Sequence, residues 1–267
     1  MSDRDLATSP GGPSRPGARL SEARPAVPST PGAARGFPYD PLAVKVIACA
    51  TVIEEMTPIM PPAMAREVLD FGLHLHPGEL TRALQAAIDA STGFETLLLG
   101  YGLCSQAVVG LHATTAQLVI PRVDDCIAIF LGSCDAYRTQ VHKEPGTYYL
   151  TKGWIEVGDS PFQDEQRLAA RYGEATAARM VGLMLRNYTR LAFINSGAAD
   201  LERYRQFAQT AAERFGLRFE EIPGAPSLVE KLLFGPWDDE CLVVPQGGEV
   251  ALEGFMSPAA GFPNARA

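Results

Sequence analysis

Residues 96–110 read TLLLGYGLCSQAVVG, an apolar run followed by two glycines, a cysteine and a second apolar segment. A short, continuous apolar run that ends in a glycine turn is typical of a buried strand in a parallel sheet. The segment after the turn has the composition of a short helix, so this stretch predicts a strand, a turn and a helix. Its cysteine, Cys104, lies just beyond the carboxyl end of the strand.

The same order recurs on both sides of this unit. Upstream, Val44–Cys49 (VKVIAC) predicts a strand that ends in Cys49, and downstream the strand at 117–120 leads through PRVDDC to Cys126. Short apolar runs that alternate with longer segments of helical period predict an α/β protein. We therefore expect a mostly parallel sheet, or sheets, with flanking helices, either as one continuous sheet or as two Rossmann-like lobes around a cleft.

The remaining predicted elements complete this alternation. We expect helices at 63–71, 78–91, 125–131, 162–187, 199–215 and 226–234, strands at 191–194, 218–222 and 241–244, and a crossover or extended loop at 143–161.

The two ends of the chain differ in composition from its middle. Residues 1–37 hold six of the 21 prolines and almost no bulky apolar side chains, which predicts a disordered tail. Residues 255–267 predict a second, flexible tail. The α/β domain is then 38–254, and its two-lobe version would have lobes at 38–142 and 160–254 joined by 143–159.

Composition excludes several classes of protein. The net charge of −8 over 267 residues disfavours a binder of nucleic-acid phosphates. No run approaches the roughly 20 apolar residues of a membrane span, so we expect no membrane partner. Five scattered cysteines, an odd number, predict a reducing, cytoplasmic compartment.

Cys49, Cys104 and Cys126 each follow the end of a predicted parallel strand, the edge at which α/β proteins bind ligands. Thiolates at helix starts suit zinc or an iron–sulfur cluster, so these three cysteines are candidate metal ligands. There is no CxxC pair, and buried cysteines often serve only as small apolar side chains. Both interpretations stay open.

Other residues near this edge are candidates for binding and catalysis. His74 and His76, two positions apart in GLHLHP, would share one face of an extended segment as a pair of ligands, or one of them could be held in a helix-start turn. His76 could also supply a fourth ligand or a general acid or base. Of the acidic pair Asp124 and Asp125, either residue is expected to cap a helix, and the other could orient a ligand or a metal-bound histidine. Asp125 is also a candidate catalytic residue. Candidate residues for contact with a bound cofactor are Gly100, Tyr101, Gly102 and Arg122, and Tyr149 and Trp154 are expected with Tyr101 in the wall of the site.

Three segments, LGYGLCSQAVVGL (99–111), IPRVDDCIAIFLGS (120–133) and GTYYLTKGWIE (146–156), together resemble the bacterial and archaeal domain-of-unknown-function family 1638. The resemblance runs from about 45 to 250. The family pattern has a cysteine after the first strand, an LH..P segment, a GYG.C turn and an R..DC turn. Those places are occupied here by Cys49, His76, Cys104, Asp125 and Cys126.

The resemblance implies that these five residues share a site and that Cys134 and Cys241 stand outside it. It also implies an indirect link to corrinoids, through a corrinoid-protein partner in one-carbon metabolism. It implies no settled reaction.

The sequence leaves three hypotheses of function. The first is a cytoplasmic metal-binding protein that holds zinc or an iron–sulfur cluster and acts on a small molecule or a protein-bound cofactor. The second is a metal-free enzyme with Cys104 as nucleophile and His76 as base. The third is a non-catalytic cofactor chaperone or partner protein, so whether the chain is an enzyme stays open.

Overall fold

The computed structural model describes residues 39–256, apart from 159 and 199. The predicted tail at 1–37 and most of the one at 255–267 therefore lie outside the described residues. The described residues belong to a single compact unit by their contacts.

Within this range the strands and helices alternate as the sequence predicts. The strands are β1 (Val44–Cys49), β2 (Ala65–Leu69), β3 (Thr96–Gly100), β4 (Gln117–Pro121), β5 (Thr147–Leu150), β6 (Arg190–Asn195), β7 (Arg218–Pro223) and β8 (Cys241–Val244). The helices are α1 (Ala50–Met56), α2 (Pro77–Ala90), α3 (Cys126–Leu131), α4 (Cys134–Lys143), α5 (Lys152–Val157), α6 (Pro161–Tyr172), α7 (Glu174–Leu185), α8 (Glu202–Arg214) and α9 (Ser227–Phe234).

The strands form two sheets. The first has the order β2-β1-β3-β4-β8 and is parallel except for β8, which runs antiparallel to β4. The second has the order β5-β6-β7 and is parallel throughout. The prediction of an α/β fold with mostly parallel sheets and flanking helices is confirmed.

Three elements differ from the prediction. The short helix expected after the glycine turn that follows β3 is instead a series of turns at 104–110. The expected helix at 63–71 is instead β2, an edge strand with alternating burial, followed by a 3-10 helix at Phe71–Leu75. The expected loop at 143–161 contains β5 and α5, which are four and six residues long. Elements this short leave no measurable period in the sequence, and pairing with a neighbouring strand decides the conformation of an edge segment.

Two other helical regions differ from the prediction. Helix α4, which the sequence does not predict, follows Ser133, whose hydroxyl caps the helix by accepting a hydrogen bond from the Ala136 backbone N–H. The helical stretch predicted at 162–187 is two helices, because Gly173 adopts a left-handed backbone (φ 83°) between α6 and α7.

The core explains why the strands lie where they do. All five residues of β3 are buried, as expected for a strand with neighbours on both sides. Helix α2 buries one face on the first sheet, formed by Leu80, Leu84, Ala87 and Ile88, as its period predicts. A second apolar cluster lies around β5 and β6, but Ala192, Ile194 and Ile222 of the second sheet pack into the first cluster.

Candidate functional site

The carboxyl ends of β1, β3 and β4 meet at one edge of the first sheet because the three strands are adjacent and parallel. Cys49 ends β1, Cys104 lies in the turn after β3, and Cys126 begins α3 after β4. The charges of all three thiols act on Tyr101 and on each other. The three predicted cysteines thus lie at the same edge of the first sheet.

Cys49 is buried at the start of α1, where it is the N-cap residue. Its Sγ lies 3.1 Å from Oγ1 of Thr51. Burial raises the pKa of the Cys49 thiol, although the bonds from Thr51 and from the backbone of Val52 act in the opposite direction. The thiol is therefore protonated at neutral pH when no cation lies beside it.

The turn that carries Cys104 has an unusual backbone. Cys104, Ser105 and Gln106 have φ values of 44°, 58° and 67°, in the left-handed region that non-glycine residues rarely adopt. Each such residue costs on the order of 1–2 kcal/mol, and such strain is concentrated at functional sites. Burial raises the pKa of the Cys104 thiol to about 12.

This strained turn is held by the turn after β4. The backbone N–H of Leu103 donates to the carbonyl of Val123 (2.8 Å), and that of Cys104 donates to the carbonyl of Asp124 (3.0 Å). A Cβ on Gly102 would lie 2.6 Å from the Val123 carbonyl oxygen, so only glycine fits this close approach. The two turns therefore position Cys104 and Cys126 together.

Asp125 precedes Cys126 in the sequence and accepts hydrogen bonds from both α3 and α4. One carboxylate oxygen accepts from the backbone N–H of Ile127 (2.8 Å) and caps α3, and the other accepts from the Tyr137 hydroxyl (3.1 Å). Burial raises the pKa of Asp125, although the bond from Ile127 lowers it. A partly buried carboxyl group with a raised pKa can hold or release a proton, so Asp125 is a candidate acid or base.

Tyr101 is buried between the thiols and His74. Its exposed fraction is 1%, and no hydrogen-bonding group among the described residues reaches its hydroxyl. Burial is the main cause of a raised pKa at Tyr101, and the negative charges of the three cysteines raise this pKa further. The ring of His74 stacks on that of Tyr101 at 5.8 Å between centroids.

The other predicted site residues lie in different surroundings. His76 is exposed at the start of α2, where its carbonyl accepts from the backbone of that helix, so the imidazole placed at the site is that of His74. Arg122 donates its backbone N–H to Glu240 and lies on the β8 side of β4. Gly100 packs against Ala48. A Cβ added to Gly100 would lie 2.6 Å from the Cβ of Ala48.

A cavity of about 450 Å³ adjoins the thiols on the side of Asp125 and His74. Its wall includes Tyr149 and Trp154, which the sequence predicts as wall residues. It also includes Tyr137, Tyr148 and Tyr188, which the sequence does not identify. Tyrosines spaced along separate elements give no sequence signal, because only the packing of α4, β5 and the end of α7 brings them together.

A second cavity, of about 760 Å³, lies between α1 and the carboxyl ends of β6 and β7. Its polar lining includes Glu54, Glu55, Lys152 and Ser196. Burial raises the pKa of Glu55, and a hydrogen bond with Ser196 lowers it. This cavity carries neither a cysteine nor a histidine.

The arrangement of the thiols bears on the kind of metal they could hold. A zinc ion with Zn–S bonds of about 2.3 Å requires thiolates roughly 3.8 Å apart. Among residues 39–256, without 159 and 199, no three His, Cys, Asp or Glu side chains are placed to hold one metal ion. The three cysteines as they lie therefore do not fit a mononuclear zinc site.

In the part of the chain that the structure describes, no helix is both long and apolar enough to cross a membrane.

Searches of curated proteins and of solved structures gave no significant match. The sequence pattern of the family described as "Protein of unknown function (DUF1638)" matches residues 68–233. This match is shorter than the resemblance at 45–250; it includes Cys104 and Cys126 and begins after Cys49. Because it covers more than half of the chain, the protein belongs to the DUF1638 family.

Proposed function

We propose that Cys49, Cys104 and Cys126 bind an iron–sulfur cluster that serves chemistry in the adjoining aromatic cavity. One observation carries this proposal: three cysteines follow the ends of three adjacent parallel strands, and all three thiols act on the pKa of the buried Tyr101.

A cluster is proposed here in preference to zinc because it makes a different demand on the thiols. In a cluster each cysteine binds a different iron, so the thiolates need not meet around one ion. Among the described residues no group of three or more ligating side chains is placed around a single ion.

The electrostatics of the site also support a bound cation. Cys49 and Cys126 are buried and Cys104 is partly buried. Loss of solvation raises the pKa of Cys104 and Cys126, and repulsion between the thiolates raises it further. Iron bound in their midst would supply the positive charge that ionised, desolvated thiols require.

Three cysteine ligands leave one iron of a four-iron cluster without a cysteine, and such an iron supplies Lewis-acid or redox chemistry to a bound substrate. The chain's own contribution is to position that substrate. Asp125 and His74 lie in the wall between thiols and cavity, and Asp125 is the candidate proton donor or acceptor. The corrinoid-protein partner and the one-carbon role are further parts of this proposal, supported by the family resemblance alone.

A metal-free enzyme with Cys104 as nucleophile is a second candidate, favoured by the left-handed backbone of Cys104. The pKa of the Cys104 thiol, about 12, argues against this alternative, because a nucleophilic cysteine needs a lowered pKa. Under this alternative Cys104 alkylates faster than the other cysteines, and chelators leave activity unchanged.

Single Cys→Ser variants of the anaerobically purified chain test the proposal. We expect C49S, C104S and C126S each to lose most of the bound iron, measured by elemental analysis. C134S and C241S are matched controls: Cys134 donates to the Arg122 carbonyl and Cys241 is buried in β8, so both should keep the iron. Full iron in the first three variants contradicts the proposal.

A further inference from the structure

We propose that the cavity beside the thiols binds an organic cation, of the quaternary or methylated ammonium class. The inference rests on the cavity wall alone and does not require the metal centre. A volume of about 450 Å³ suits a small molecule.

Aromatic rings dominate this wall. Tyr137 and Tyr149 meet edge to face, at 6.1 Å between centroids and 64° between planes. Tyr148 and Tyr188 do the same at 5.2 Å and 72°. Rings set at steep angles to one another present π faces from more than one direction. Such faces attract a cation that has no hydrogen to donate.

The charges around the cavity have the matching sign. Asp125 lies in the wall, and none of the described lining residues is a lysine or an arginine. His74 is the lining residue that could carry a positive charge. Arg190 lies behind Tyr149 and contacts Glu220 at 3.0 Å and Glu144 at 3.4 Å, two carboxylates that it shares with Arg218 and Lys143. None of these three cations is among the described residues that line the cavity. The partly buried carboxyl group of Asp125 therefore lies among aromatic rings, with no lysine or arginine among the described residues of the wall.

Both features favour a cation over its neutral isostere. The faces of the tyrosine rings attract a cation and not its neutral isostere, and the carboxylate adds to this attraction. An anionic ligand would instead meet Asp125 and the negative faces of the tyrosines.

The test compares choline with 3,3-dimethyl-1-butanol, which has the same shape and no charge. With the full chain, titration calorimetry should show choline binding at least about tenfold more tightly than the alcohol. Equal affinities would mean a merely apolar cavity and would overturn the proposal, as would the binding of neither compound.

Two variants locate the effect. Asp125→Asn keeps a residue that can cap α3 and removes the charge, and Tyr148→Leu keeps an apolar wall and removes the π face. Each should weaken choline binding by about tenfold and leave the weak binding of the alcohol unchanged. Tyr172→Leu, at an exposed tyrosine outside the cavity, is the control. Unchanged choline affinity in both cavity variants would overturn the proposal.

The same titration on Cys49→Ser separates this inference from the cluster. The choline affinity of that variant reports on the cavity, and its iron content reports on the thiol site. We expect choline binding to persist when the iron is lost, and its loss together with the iron would contradict a cavity that binds cations by its own wall.

Discussion

Gly102 holds the turn that carries Cys104 against the turn after β4, and a side chain there has no room. We expect Gly102→Ala to destabilise the protein by about 1–3 kcal/mol, as overpacking does, and to disturb the thiol site. Gly78→Ala is the matched control, because no atom lies within 4 Å of a Cβ at that position in α2. Urea denaturation of both variants measures the difference. Equal stability would contradict the close approach of the two turns.

Gln106 is held in the left-handed region, where glycine costs less than any other residue. Gln106→Gly should therefore raise the free energy of unfolding by about 1 kcal/mol. The same substitution at the exposed Gln166, inside α6, should lower it by about 1 kcal/mol, since glycine destabilises helix interiors. A loss of stability in both variants would show that the turn after β3 is unstrained.

Some residues of the candidate site could be predicted from the sequence and others could not. Cys49, Cys104 and Cys126 could be assigned to one edge because each follows a recognisable strand. The sequence could not distinguish His74 from His76, because a 3-10 helix decides which ring stacks on Tyr101. The strain at residues 104–106 also left no signal, since it arises from bonds to a turn that lies elsewhere in the sequence.

Arg190 ties the strands of the second sheet together. It is fully buried and contacts Thr147 of β5 at 2.8 Å and Glu220 of β7 at 3.0 Å. Bonds from Arg218 and Arg190 lower the pKa of Glu220 from 4.5 to about 2. Because the folded pKa lies below the unfolded one, Glu220 stabilises the fold above about pH 4.5. This contribution is lost as the pH falls towards 2.

Glu220→Gln should therefore destabilise the protein at pH 7 and flatten the loss of stability between pH 4.5 and 2. At pH 7 we expect a cost of about 1–3 kcal/mol, because a buried guanidinium loses one of its carboxylates. Glu79→Gln, in an exposed pair with Arg82, should cost less than about 0.5 kcal/mol. Urea midpoints across this pH range test both expectations. A pH dependence like that of the unmodified protein would contradict the role of Glu220.

Whole elements were predictable where their period or their burial is strong. The buried strands β1, β3 and β4 and the amphipathic helix α2 are of this kind. Edge and short elements were not, because β2 takes its conformation from pairing with β1, and β5 from pairing with β6. The aromatic cavity was predictable only in part for the same reason: Tyr149 belongs to β5, which the sequence does not reveal as a strand.

The first sheet is completed by a strand from the far end of the chain. β8 pairs antiparallel with β4, so a chain cut after Glu240 would leave the edge of β4 without a partner. We expect this fragment to aggregate or to lose cooperative unfolding, and a chain that ends after Met256 to behave like the full protein. Circular dichroism with urea denaturation compares the two. Cooperative unfolding of the shorter fragment would show that β8 is dispensable.

The alternation of strands and helices predicted the fold class, but the antiparallel return of β8 has no signature in the sequence. A four-residue apolar run looks the same whichever sheet it joins. The pairing of distant segments, including the turns that position the thiols, is a property of the assembled molecule.

The iron and acid-labile sulfide content of the full chain, purified without oxygen, tests whether the three strand-end thiols hold an iron–sulfur cluster. We expect about four irons and four sulfides per chain, with a broad visible absorption band. One zinc per chain without sulfide, or protein free of iron after anaerobic purification and cluster reconstitution, would contradict it.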